Sequence, residues 1–79
     1  MGGTIVSNRI RQLRFENGEI TQQELGQRIG VTRQTVNAIE LGKYSPSLEV
    51  AFRIAEVFEV PLEQVFTYHP VKGSPKGSS

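Results

Sequence analysis

The stretch Gln22–Leu41, QQELGQRIGVTRQTVNAIEL, decides how this chain folds. Leu25 and Ile29 stand i, i+4, so in a helix they share one face. Gly30 follows where a left-handed residue ends that helix most easily, because glycine has no Cβ to clash there. Thr32 is placed to cap a second helix by accepting a hydrogen bond from a free backbone N–H two or three residues on. In the second helix Val36 and Ile39 lie on one side, and Arg33, Gln34, Asn37 and Ala38 on the other. Gly26 sits inside the first helix, where glycine costs roughly 0.8–1 kcal/mol against alanine. Its position needs the smallness, because the missing Cβ lets the second helix cross closely.

Two short helices about a tight turn, the second with a polar outer face, make a helix-turn-helix. The flanks extend it. Thr21 and Glu24 form the T-x-x-E capping pattern, and Ile20 is placed to staple against Leu25. Upstream, Ser7 is the expected cap of a first helix running to about Asn17, with Ile10 and Leu13 inward. Asn17-Gly18 is a stop and turn signal. Downstream, Gly42 ends the helix that holds Val36 and Ile39, and Lys43–Pro46 forms a loop. Ser47 caps a fourth helix whose expected buried stripe is Leu48, Ala51, Ile54, Ala55 and Phe58. Pro61 suits the first turn of a fifth helix, Leu62 to Phe66. Residues 1–6 read as a flexible lead. From His69 the composition turns to Gly, Ser, Lys and Pro, so residues 69–79 are expected to be disordered.

These residues resemble the helix-turn-helix of the phage-repressor-like DNA-binding proteins, the Cro/C1-type (Xre) family that includes the lambda and 434 repressors. The resemblance continues through IELGKYSPSLEVAFRIAEVFEVPLEQVF and covers roughly residues 7–68. It implies an all-α domain, a five-helix bundle whose helices 2 and 3 form the helix-turn-helix and whose third helix reads DNA. Relatives usually have one residue fewer after Asn17-Gly18, which makes Glu19 an extra loop residue. An arginine late in helix 1 pairs with the glutamate near the end of helix 3 in this family. By resemblance, that is a structural ion pair between Arg14 and Glu40.

Composition narrows the function classes. Seventy-nine residues hold one small domain with an economical core. The chain has no Cys and one His, His69 near the tail, so disulfides, thiol chemistry and a metal site are not expected. No cofactor, small-molecule ligand or membrane partner is evident, and with neither a signal peptide nor an apolar span the expected location is cytoplasmic. A net charge of +1 is unevenly spread. Residues 1–43 carry Arg9, Arg11, Arg14, Arg28, Arg33 and Lys43 against Glu16, Glu19, Glu24 and Glu40, a balance of +2. Residues 44–68 carry Arg53 against Glu49, Glu56, Glu59 and Glu63, a balance of −3. Basic character lies with the helix-turn-helix, as an electrostatic footprint on DNA requires.

Arg33 and Gln34 open the candidate reading helix. Arginine donates two bonds to guanine O6 and N7, and glutamine pairs with adenine N6 and N7. Asn37 points outward beside Arg33; Thr35 and Ala38 are placed to meet a thymine methyl, and Thr35 alternatively a phosphate. The competing reading of all five is an ordinary solvated helix face. Gln22 begins helix 2, where free N–H groups and the helix dipole favour a phosphate. Lys43 and Tyr44 are placed to reach phosphates across the groove, although the Tyr44 ring has packing against helix 4 as its alternative. Val65 and Tyr68 are the expected contacts across a two-fold axis, in a dimer whose reading helices stand about 34 Å apart; Leu62 and Phe66 are expected to close the core.

The leading expectation is therefore a sequence-specific regulator of transcription, a homodimeric repressor of double-stranded DNA reading a near-palindromic operator through the major groove. Activation, and controller or antitoxin roles known among small relatives, stay open. The alternative is a protein-interaction module of the same fold with weak or no DNA binding. An enzyme lacks support, since no catalytic pair, Gly-rich phosphate loop or metal-ligand spacing is present.

Overall fold

A computed structural model describes residues 6–69; the expected lead and tail otherwise lie outside the described residues. Five helices follow a short strand and precede another: β1 (Val6–Asn8), α1 (Ile10–Glu16), α2 (Gln22–Ile29), α3 (Arg33–Glu40), α4 (Leu48–Phe58), α5 (Leu62–Val65) and β2 (Phe66–Tyr68). The domain is thus the helical bundle expected, with a small antiparallel sheet added. No helix among the described residues is long and apolar enough to cross a membrane.

The helix-turn-helix forms from local signals. The Thr21 hydroxyl accepts from Glu24 N at 3.0 Å, and Gly30 ends α2 at φ +83°. Thr32 then accepts from Thr35 N at 3.1 Å to start α3. Only half of the capping box at Thr21 is made, because the Glu24 carboxylate turns to Arg28 at 3.0 Å. Gly26 is buried and matters through the turn rather than through the body of α3. A Cβ there would stand 2.6 Å from the Val31 carbonyl oxygen, and the Gly26 carbonyl itself accepts from the amides of Gly30 and Val31.

Eleven side chains meet in one core: Ile10, Leu13, Ile20, Leu25, Ile29, Val36, Ile39, Ile54, Ala55, Phe58 and Val65. Leu62 and Phe66 pack partly buried against it. Leu48 is a correction, since it is 68% exposed. On the α4 wheel it lies roughly 70° from the centre of the stripe formed by Ala51, Ile54, Ala55 and Phe58, and it opens the helix, where neighbours thin out. Val65 is a second correction. It was expected between two copies of the chain and is instead fully buried within one.

The chain's ends are the third difference. Ser7 caps nothing; it lies in β1, opposite Thr67 of β2. Val6 pairs with Tyr68, so it belongs to the sheet and not to a lead. Helix α1 starts later, at Ile10, whose amide donates to Asn8 Oδ1 at 3.1 Å in the manner of an Asx turn. Phe66, expected as the last residue of α5, has φ −121° and ψ 140° and opens β2. His69 Nε2 lies 2.8 Å from the Ser7 hydroxyl, which ties the sheet's end.

Glu59 closes α4 in the left-handed conformation at φ 57°, a geometry that disfavours a side chain. Glu59→Gly is expected to raise stability by about 0.5–1 kcal/mol, and Gly26→Ala to lower it by about 2–3 kcal/mol through overpacking against backbone. Urea unfolding followed by circular dichroism checks both signs.

Candidate nucleic-acid interface

Helix α3 carries the candidate site, and its placement depends on polar contacts at its C-terminal end. Arg14 of α1 donates to both Glu40 oxygens, from Nε to Oε2 at 2.7 Å and from Nη2 to Oε1 at 3.1 Å. The side chains are 13% and 7% exposed, so this fork-to-fork pair is largely withdrawn from water. Arg14 Nη1 also donates to the Ile20 carbonyl at 2.9 Å, which fixes the entry to α2. Glu40 has another donor in Gln22, whose Nε2 stands 3.2 Å from Oε1.

Two positioning residues escape the sequence reading. Asn8 Nδ2 donates to the Ile39 carbonyl at 2.9 Å, a second bond at the end of α3 beside the one from the Gly42 amide at 3.0 Å, and it comes from strand β1. Arg53 of α4 reaches the Ile29 carbonyl at the end of α2 at 3.2 Å while pairing with Glu49 at 2.6 Å. Neither carries a periodicity signal. A basic residue one turn after an acid on α4 was visible as an i, i+4 pair, but its reach to α2 is a tertiary contact.

With its inner face fixed, α3 turns its other face outward. Arg33, Gln34 and Asn37 are exposed, and Thr35 and Ala38 are half-buried beside them. The Arg33 and Gln34 side chains make no hydrogen bond or ion pair within the described residues, so their donors and acceptors face solvent. The Thr35 hydroxyl is 2.9 Å from that of Thr32 and serves the cap. Asn37 is tied, since its Oδ1 accepts from Gln22 Nε2 at 3.1 Å. Both hydrogens of the Gln22 amide are therefore occupied by Asn37 and Glu40, and what Gln22 offers outward is its backbone N–H at the first turn of α2.

Lys43 and Tyr44 follow α3 and are exposed. Tyr44 does not bury its ring against α4; it is 54% exposed and lines a shallow groove with Val6, Pro46 and Phe66. Val6, Asn8, Phe66 and Tyr68 stand on one face of the small sheet by register, so the 62% exposed Tyr68 continues that apolar margin.

A buried glycine in α2 beneath the turn, two hydroxyl caps and an anchored helix with a polar outer face define a helix-turn-helix domain. Comparison with known proteins agrees. A family model described as helix-turn-helix matches residues 10–65. The chain is 45% identical over 60 residues to an uncharacterised helix-turn-helix-type transcriptional regulator of Archaeoglobus fulgidus, covering 76% of this chain and 84% of that one. It is 37% identical over 59 residues to the cryptic phage CTXphi transcriptional repressor RstR of Vibrio cholerae, covering 75% of this chain and 52% of RstR. A crystal structure of a proposed DNA-binding protein from Bacteroides fragilis superposes with a TM-score of 0.69 at 26% identity, over 78% of this chain and 98% of the other. The chain belongs to the helix-turn-helix family of transcriptional regulators, of the Cro/C1 type.

Removing one partner of the Arg14–Glu40 pair leaves a withdrawn charge uncompensated. Glu40→Leu is expected to cost about 3–5 kcal/mol, and Arg14→Met added to it is expected to recover much of the loss. A double-mutant cycle in urea measures the coupling.

Proposed function

We propose that the chain is a homodimeric repressor that reads a near-palindromic operator with α3 in the major groove. The observation that carries this reading is the outer face of α3, where the Arg33 and Gln34 side chains make no hydrogen bond within the described residues while the helix beneath them is anchored on its other side. Free polar atoms on a fixed helix are what base-edge readout requires; a partner-binding face would favour apolar anchors there.

In this reading Arg33, Gln34 and Asn37 meet base edges, with Thr35 and Ala38 against the groove wall or a thymine methyl. Phosphates are gripped by Lys43 and Tyr44 beyond α3 and by the backbone N–H groups at the start of α2, beginning at Gln22. The second copy packs on the sheet face that ends in Tyr68, beside the groove of Val6, Pro46 and Phe66. Two α3 helices then stand about one DNA turn apart. The regulator acts in the cytoplasm, where its DNA is, and needs no cofactor. Repression follows from occupancy, since a regulator seated on a promoter blocks it. RstR, a relative that is named a transcriptional repressor, points the same way.

The test is binding to duplex DNA from upstream of the protein's own gene, against scrambled DNA of equal length, at two salt concentrations. Wild type is expected to prefer the upstream duplex. An Arg33→Ala/Gln34→Ala variant is expected to lose at least about tenfold of that preference while keeping salt-sensitive binding to both duplexes. Tyr68→Glu is expected to shift the protein from dimer to monomer in sedimentation and to weaken operator binding. Absence of binding at low salt would turn the reading to the interaction module.

A further inference from the structure

We propose that Gln22 fixes which end of the Asn37 amide faces outward, making Asn37 a pure hydrogen-bond donor that reads guanine in preference to adenine. This deepens the proposed function and rests on α3 being the base-reading helix.

The polarity follows from a chain of groups that starts at the ion pair. A guanidinium only donates and a carboxylate only accepts. Glu40 Oε1 lies 3.2 Å from the Gln22 amide, so the end of that amide facing it has to be Nε2; the reverse would set oxygen against carboxylate oxygen. The same nitrogen stands 3.1 Å from Asn37 and has one hydrogen left for it. The Asn37 atom there has to be Oδ1, because two NH2 groups cannot bond each other. Amide oxygens and nitrogens are hard to tell apart by position alone. Here each is assigned by its neighbour, back to Arg14, which can act in only one sense.

The consequence lies on the outer face. Asn37 is exposed, its oxygen is engaged, and its Nδ2 makes no hydrogen bond within the described residues. An asparagine matches adenine by offering its oxygen to N6–H2 and its nitrogen to N7 together. With Oδ1 turned to Gln22, Asn37 presents the second of these outward. Guanine presents two acceptors, O6 and N7, at its major-groove edge and suits an outward NH2 group. Gln22 is thus a positioning residue that shapes specificity through Asn37, without its own side chain touching a base.

Two readouts test this. In the free protein, hydrogen exchange of the side-chain amides by NMR is expected to be several-fold slower for Gln22 than for Asn37; equal or reversed rates would overturn the assignment. For specificity, duplexes with randomised half-sites are selected by wild type, Asn37→Ala, Gln22→Met and Gln22→Lys. The Asn37 position is the one whose preference flattens in Asn37→Ala. Wild type is expected to favour guanine over adenine there by at least about fivefold. Gln22→Met frees the Asn37 amide to turn, and the ratio is expected to fall to within about twofold. Gln22→Lys still donates to both oxygens and is expected to keep guanine, which shows that the Met effect is one of polarity and not of folding. An adenine preference in wild type, an Asn37→Ala profile matching wild type, or a Gln22→Met profile unchanged would each overturn the proposal while leaving DNA binding intact. Wild type lacking any salt-sensitive DNA binding would overturn the base preference and the regulator reading together, and the exchange rates would still judge the amide polarity by themselves.

Discussion

The Glu40 carboxylate is the constraint on which the rest of the domain depends. Helix α3 has eight residues, too few to be stable alone, so its position is imposed by its surroundings. Glu40 reaches α1 through Arg14 and α2 through Gln22, while the adjacent Ile39 carbonyl is held by Asn8 of β1. Three elements thus converge on one helix end. Apolar packing of Val36 and Ile39 decides which face of α3 is inward, but packing is forgiving of small slides and rotations. A carboxylate held by a two-pronged guanidinium is not, because its oxygens are directional. Orientation, more than net stability, is what such a withdrawn pair contributes.

The opposite end of α3 is governed by backbone. At Gly26 the turn lies against α2 with no room for a methyl group, and the amides of Gly30 and Val31 both bond the Gly26 carbonyl. Arg53 adds a link from the end of α2 to α4. The outer face stays polar, and Arg33 and Gln34 on it stay unengaged, because the contacts that anchor the helix come from behind it and from its ends. The acidic side chains of residues 44–68 stand apart on later elements, which leaves the positive balance with the helices around the turn.

The helix-turn-helix is legible because its signals are local. Thr21, Thr32 and Ser47 each accept from an amide three residues on, Gly30 ends α2 through its own left-handed backbone, and side-chain periodicity marks the inner faces. The sheet is illegible for the opposite reason. Each strand has three residues, too few for an alternation to show, and its partner lies some sixty positions away. Ser7 looked like a cap because Ser, Thr, Asp and Asn share that role; only the pairing with Thr67 takes it out of contention and passes the task to Asn8. Val65 looked available to a second copy because a short fifth helix from Leu62 to Phe66 seemed to bear surplus apolar area, whereas α5 ends at Val65 and buries it in the core. In the candidate site, residue type and helix face were readable at Arg33 and Gln34. The partnership of Gln22 with Asn37 was not, since fifteen residues separate them and either side chain alone reads as a solvated amide.

The pairing of Val6–Asn8 with Phe66–Tyr68 also orders events in time. The side-chain bonds within the helix-turn-helix span up to 18 residues, and the Arg14–Glu40 pair spans 26, but the sheet joins the two extremes of the described chain. Closing so large a loop gains only a few backbone bonds against its entropy, so it comes after the local structure has shortened the path. During synthesis α3 leaves the ribosome before β2 does. The sheet then behaves as a clasp, fastened last, and the Asn8 bond to α3 arrives with it.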